Sequence, residues 1–166
     1  MAIKLADFKS PATQIGNTNI YSLYSGSSFD FLFYMNSGEF MFTKSFNSRV
    51  NCSFKTNAAS LLAPDTATAL SLLAFAQYDF DLSELYARKF RKKLYEGKGT
   101  FSDVNFYQPI YNEVQKEYVE RHTLAAKETD LGRDAEKLHL LHKDVLAEIM
   151  LLHEFCKTCK PKKRKK

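Results

Sequence analysis

The chain has 166 residues, 45% hydrophobic and 26% charged, which is typical of one folded domain with its own core. Its formal net charge is +5, and the last seven residues carry six positive charges, so the other 159 residues sum to −1. We expect no secretory signal and no membrane span, because no apolar stretch is long enough for either. Three cysteines, an odd number, predict no disulfide framework and indicate a reducing, intracellular location, nuclear in a eukaryotic cell and cytoplasmic otherwise.

The first sixty residues predict strands, since aromatic and polar side chains alternate there. Candidate strands cover residues 20–24, 29–34, 39–43 and 50–55, with a weaker candidate at 3–8. Asn36-Ser37-Gly38 fits a hairpin turn, because glycine tolerates positive φ. We therefore expect one antiparallel sheet of four to five strands.

The rest of the chain predicts helices. Residues 66–77 are apolar nearly all round, so this helix is expected to be buried against the sheet. Asp81 and Glu84 resemble a capping box that opens a second helix, and Gly97 ends it. Helices over residues 109–127 and 130–155 are expected to form an antiparallel hairpin. The fold class is α+β, divided into an α+β domain at 1–98, a helical hairpin at 99–156 and a disordered basic tail at 157–166.

Two basic segments predict contacts with nucleic-acid phosphates. The tail repels itself and buries nothing, so only a polyanion or an acidic receptor groove, as for a nuclear-localisation signal, is expected to order it. The second segment lies in the 81–97 helix, whose apolar stripe is expected to leave Arg88, Arg91 and Lys92 facing solvent. The candidate phosphate-binding residues are Arg88, Lys89, Arg91, Lys92, Lys93, Lys160, Lys162, Lys163, Arg164, Lys165 and Lys166. The alternative for both segments is a solvated charged surface.

The aromatic residues of the predicted hairpin have two interpretations. Phe29, Phe31, Phe33, Phe40 and Phe42 fit either a platform for stacking unpaired bases or, as is usual for alternating phenylalanines, a core. Tyr34 on the opposite face, beside Lys44 and Lys55, is the better candidate for a base contact.

Ligand-type residues concentrate near the end of the chain: His139, His142, His153, Cys156 and Cys159. The spacing His153-x-x-Cys156-x-x-Cys159 suits zinc if the last helix unwinds after Phe155. No fourth ligand is evident nearby, so we instead expect Cys156 to pack on Leu152 and Cys159 to be an exposed thiol. No metal or other cofactor is predicted.

Enzyme signatures are absent from the sequence, which has no Gly-rich phosphate loop, no Gly-x-Ser-x-Gly and no His-Glu-x-x-His. Asp79, Asp81 and Glu84 could hold Mg²⁺, but capping explains the last two. The sequence therefore predicts a small non-enzymatic accessory protein that binds nucleic acid through phosphates. The alternatives are a protein-interaction or inhibitor module whose helical hairpin docks on a larger complex, and a subunit of a structural assembly, with homo-oligomers left open.

Overall fold

A computed structural model describes residues 1–32, 34–99 and 102–162. The described chain is α+β, with five short strands, three long helices and one short helix. In chain order the elements are β1 (Gln14–Ile15), β2 (Ser22–Tyr24), β3 (Ser27–Phe31), α1 (Ser37–Phe42), β4 (Val50–Phe54), β5 (Ser60–Ala63), α2 (Thr66–Gly97), α3 (Tyr107–Glu128) and α4 (Ala135–Leu151). Single 3₁₀ turns occupy Leu5–Asp7, Asn47–Arg49 and His153–Phe155.

The strands form two small sheets. In the first, β5 lies between β1, to which it is parallel, and β2, to which it is antiparallel. In the second, β3 pairs with β4 in antiparallel register, with Phe29 opposite Cys52. The predicted single sheet of four to five antiparallel strands is therefore wrong, although the strands near residues 22–24, 27–31 and 50–54 are confirmed.

A short helix replaces the predicted return strand of the hairpin. The Asn36 side chain accepts a hydrogen bond from the Glu39 amide at 2.8 Å, so Asn36 caps α1 instead of opening a turn between strands. Phe40 is buried on one side of α1, while Phe42 is exposed. The weak strand expected at residues 3–8 is also wrong, because a 3₁₀ turn lies there.

Helix α2 is continuous over 32 residues, where two helices were expected. It begins after Asp65, whose carboxylate accepts from the Thr68 amide at 2.7 Å, and it ends at Gly97 as predicted. Asp81 caps nothing. Its carboxylate accepts from the Gln77 amide group at 2.9 Å and pairs with His142 at 2.8 Å. No glycine or proline interrupts this stretch before Gly97, so the helix runs on.

The last two helices both pack on α2 more extensively than on each other. The link between them turns sharply at Gly132, where φ is +91° and an added Cβ would lie 2.5 Å from the Ser71 carbonyl oxygen. Val114 of α3 and Val145 of α4 join Leu85 and Phe90 of α2 in the larger core. Among the described helices, none is both long and apolar enough to cross a membrane.

Candidate nucleic-acid interface

The last turn of α4 and the chain that follows it are bound to the basic segment of α2 through main-chain carbonyls. Arg88 donates to the Ile149 carbonyl oxygen at 3.0 Å, and Arg91 donates to that of Phe155 at 3.1 Å. Arg91 also donates to the Val50 carbonyl oxygen at 2.9 Å, which connects this region to the start of β4. Two of the predicted phosphate-binding residues therefore bind the end of α4 and the segment that follows it to the core.

The expected exposure of Arg91 is wrong, since its side chain is 0% exposed. A buried guanidinium is tolerated only where hydrogen bonds and an opposite charge compensate its desolvation. Here the two carbonyl oxygens and the Glu84 carboxylate, at 3.1 Å, provide that compensation for Nη1 and Nη2, whereas Nε has no hydrogen-bond partner among the described residues. Arg88 is also mostly buried and shares Glu84 at 2.8 Å.

The lysines of the same segment remain at the surface, but most have acidic partners. Lys89 pairs with Glu148 at 2.9 Å, and Lys93 pairs with Glu113 at 3.0 Å and with Glu117 at 3.2 Å. Burial alone would raise the pKa of Glu148, but hydrogen bonds from Lys89 and Arg121 outweigh it and lower that pKa. Lys92 makes no ion pair within the described residues.

The lysines border a groove of about 420 Å³ between α2 and the end of α4. Its apolar part is formed by Leu151 and Leu152, and its charged part by Lys89, Lys92, Lys93, Glu96 and Glu148. The groove thus combines an apolar part with a charged part that holds three lysines and two glutamates.

The root of the basic tail is held in place as far as Cys159. The Asn47 side-chain amide donates to the Glu154 carbonyl oxygen at 3.1 Å and to that of Cys159 at 3.0 Å. The Phe155 and Tyr95 rings lie 6.1 Å apart in an edge arrangement. Beyond this point Lys160 and Lys162 are exposed, whereas Lys163, Arg164, Lys165 and Lys166 lie outside the described residues.

Cys156 and Cys159 form a disulfide, with their Cα atoms 5.0 Å apart. The expectation of two unpaired thiols at these positions is therefore wrong. The turn that follows the His153–Phe155 3₁₀ segment brings the two cysteines together, and this could not be inferred from an odd cysteine count.

The candidate zinc ligands do not converge. Both sulfurs of the candidate set are bonded to each other, and His153 Nδ1 lies 3.2 Å from the Met150 carbonyl oxygen. His142 pairs with Asp81, and His139 is exposed on α4. Within the described ranges, no group of three or more histidine, cysteine or acidic residues is arranged to hold a metal ion.

The predicted base-contacting residues do not share a sheet face. Tyr34 precedes α1, Lys44 follows it and Lys55 follows β4, and all three are exposed. Lys44 donates to the Lys98 carbonyl oxygen at 2.7 Å. Phe29 and Phe40 are buried in the core, which confirms the core interpretation for these two rings, and Phe33 lies outside the described residues.

A second polar centre, which was not predicted from the sequence, is built around Asp79 in α2. Asp79 is 1% exposed and accepts hydrogen bonds from Ser25 and from Tyr118, the latter at 2.8 Å, and it pairs with His122 Nδ1 at 2.7 Å. These partners come from the β2–β3 turn and from α3. The only signal in the sequence was an aspartate in an otherwise apolar helical stripe.

The chain matches no family model, no curated protein and no solved structure.

Proposed function

We propose that the protein is a nucleic-acid-binding accessory protein whose basic C-terminal tail contacts phosphates. The observation that carries this proposal is the fixed root of the tail. Arg88 and Arg91 of α2 bind the Ile149 and Phe155 carbonyl oxygens, and Asn47 of the turn before β4 binds that of Cys159, so the tail starts from a fixed point on the body. Anchoring concentrates six cations at one point of a body with a charge of −1.

The roles that we propose for the basic residues differ from those expected from the sequence. Arg88 and Arg91 position the tail, and the acidic partners of Lys89 and Lys93 offset their charge. Lys92, Lys160, Lys162 and the last four residues are the proposed phosphate contacts. Contacts of this kind give affinity without reading base sequence.

Fluorescence anisotropy with labelled duplex DNA, single-stranded DNA and RNA tests this proposal. The full chain is expected to bind at low salt, with little preference for sequence, and to be released as the salt concentration rises. Replacing Lys92 with Gln is expected to weaken binding modestly, whereas the same change at Lys116, on the polar face of α3, serves as the control. Binding that is absent at low salt, or unaffected by salt, would contradict the proposal.

One observation favours a second candidate, a protein-interaction module that docks through α4. The outer side of this helix exposes large apolar side chains, namely Leu140, Leu146, Met150 and Leu151. An apolar patch on a helix that already buries its other side is typical of an interaction surface. A photocrosslinking residue at position 146 is expected to capture one partner, or a second copy of the chain, whereas the same residue at position 116 captures neither.

A further inference from the structure

A small cleft lies where the β2–β3 turn meets α2 and α3. It has a volume of about 190 Å³, which is room for several non-hydrogen atoms, since a water molecule in the liquid occupies about 30 Å³. Leu23, Phe75 and Leu131 give it apolar walls, and Asp79 and His122 lie at its polar end. A concave, mostly apolar site with a few convergent polar groups is the usual form of a small-molecule site.

Asp79 lies at the polar end of the cleft, but its carboxylate already accepts hydrogen bonds from other residues of the protein. One carboxylate oxygen accepts from the Ser25 hydroxyl, and the other accepts from the Tyr118 hydroxyl at 2.8 Å and faces His122 Nδ1 at 2.7 Å. Burial and the nearby Asp79 raise the pKa of Tyr118, which keeps its hydroxyl protonated as a donor. Asp79 therefore fixes the ring of His122 instead of binding a ligand itself.

His122 is the hydrogen-bond donor at the polar end of the cleft. The hydrogen bond to Asp79 raises the pKa of His122 despite the opposing effect of burial, so the imidazolium form, which carries a proton on each nitrogen, persists to a higher pH than in an isolated histidine. Nδ1 is used by Asp79, whereas Nε2 has no hydrogen-bond partner in the described part of the chain. The side chain is 34% exposed and lines the cleft, so a ligand has access to this ring.

Ser27 also lines the cleft, but its hydroxyl oxygen is buried and has no hydrogen-bond partner among the described residues. Because this oxygen has almost no accessible surface, it is out of reach of a ligand in the cleft. The preceding Gly26 has φ +71°, and an added Cβ would lie 2.9 Å from the Lys55 carbonyl oxygen. The turn that carries Ser27 is therefore held in one conformation.

We propose that this cleft binds a small organic carboxylate with an apolar body, whose carboxylate group accepts a hydrogen bond from His122 Nε2. A charged N–H donor favours an anionic acceptor, and the apolar walls favour a hydrocarbon body. No lysine or arginine lines the described cleft, so one negative charge suits it better than a phosphate dianion. This site is separate from the basic surface and does not depend on nucleic-acid binding.

The test is an NMR titration of the full chain with isobutyrate, its neutral amide isobutyramide, and inorganic phosphate, following the histidine ring signals. Isobutyrate is expected to shift the His122 signals saturably, while the amide and phosphate shift them less or not at all. His142 is an internal control, since it pairs with Asp81 at 2.8 Å but does not line this cleft. A His122 response that appears only together with that of exposed His139 would overturn the proposal, and tighter binding of phosphate would overturn its carboxylate preference.

Two variants separate a ligand site from a purely structural network. His122→Gln removes the charge and is expected to weaken isobutyrate binding at least about tenfold. Ser27→Ala is the matched control in the wall of the cleft. It leaves the Asp79 hydrogen bonds intact and removes a hydroxyl that a ligand cannot reach, so it is expected to leave binding unchanged. Circular dichroism checks that both variants fold, and unchanged isobutyrate binding in folded His122→Gln would contradict the site.

Discussion

At the scale of single residues, Arg91 has a structural role that could not be recognised from its position in a run of basic residues. Its guanidinium is fully buried and binds two carbonyl oxygens that are far from it in sequence, those of Val50 and Phe155. A five-donor planar group suits this arrangement, and lysine does not reproduce it. The burial could not be predicted because both acceptors are main-chain atoms, whose positions the sequence does not reveal.

Replacing Arg91 with Met is therefore expected to lower the free energy of unfolding by about 3 kcal/mol, because it leaves buried acceptors without a donor. Urea denaturation followed by circular dichroism measures this change. The matched control is Lys92→Met on the same helix, for which a change within about 0.5 kcal/mol is expected. Similar effects at the two positions would mean that Arg91 is not buried as described.

His122 predicts a pH dependence of stability. The hydrogen bond to Asp79 raises its pKa in the folded state above the ordinary value of 6.5. Its contribution to stability is therefore complete below pH 6.5 and is lost as the pH rises through the higher folded-state pKa. Urea unfolding across this range is expected to show a shallower decline for His122→Gln than for the natural chain. His139→Gln, at an exposed position on α4, should leave the decline unchanged, and an equal effect of both changes would refute the assignment.

At the scale of elements, periodicity identified most of the structure, and it failed where a local signal overrode it. The strands near residues 22–24, 27–31 and 50–54 and the helical regions after residue 65 follow their patterns, although α2 is one helix where two were expected. Alternating Phe40 and Phe42 predicted a strand, but the Asn36 cap favours a helix there. Strand β5 was missed because its short apolar run, Ser60–Ala63, does not alternate.

The disulfide between Cys156 and Cys159 predicts which thiols react before and after reduction. Without reductant, only Cys52 has a free thiol, and burial raises its pKa to about 12, so alkylation of the native chain is expected to be slow. Reduction of the folded chain is expected to expose two faster-reacting thiols, those of Cys156 and Cys159. Mass spectrometry of alkylated protein counts the labels, and two fast thiols before reduction would rule out the disulfide.

Asn47 predicts how firmly the tail root is held. Asn47→Ala removes the hydrogen bonds to the Glu154 and Cys159 carbonyl oxygens, so amide hydrogen exchange over residues 153–159 is expected to become faster. Asn51→Ala is the matched control, because the Asn51 side chain bonds Asp30 at the longer distance of 3.5 Å, away from this turn. Unchanged exchange in Asn47→Ala would show that other contacts anchor the root.

At the scale of the whole molecule, charge is divided between a nearly neutral body and a cationic end. The body carries −1, and ion pairs between α2 and the helices packed on it neutralise most of its basic segment. The sequence revealed this division but not the partners of the lysines, because those partners lie on α3 and α4. We therefore propose that the tail contributes nearly all phosphate binding and Lys92 only a small part.

The salt dependence of nucleic-acid affinity tests this proposal most directly. It is measured for the full chain and for a chain that ends at Cys159. The slope of log affinity against log salt changes by about 0.9 for each duplex phosphate contact. Removal of six cations is thus expected to flatten the slope by several units, leaving a residual of about one unit from Lys92. An unchanged slope after truncation would contradict the account and assign phosphate binding to another surface.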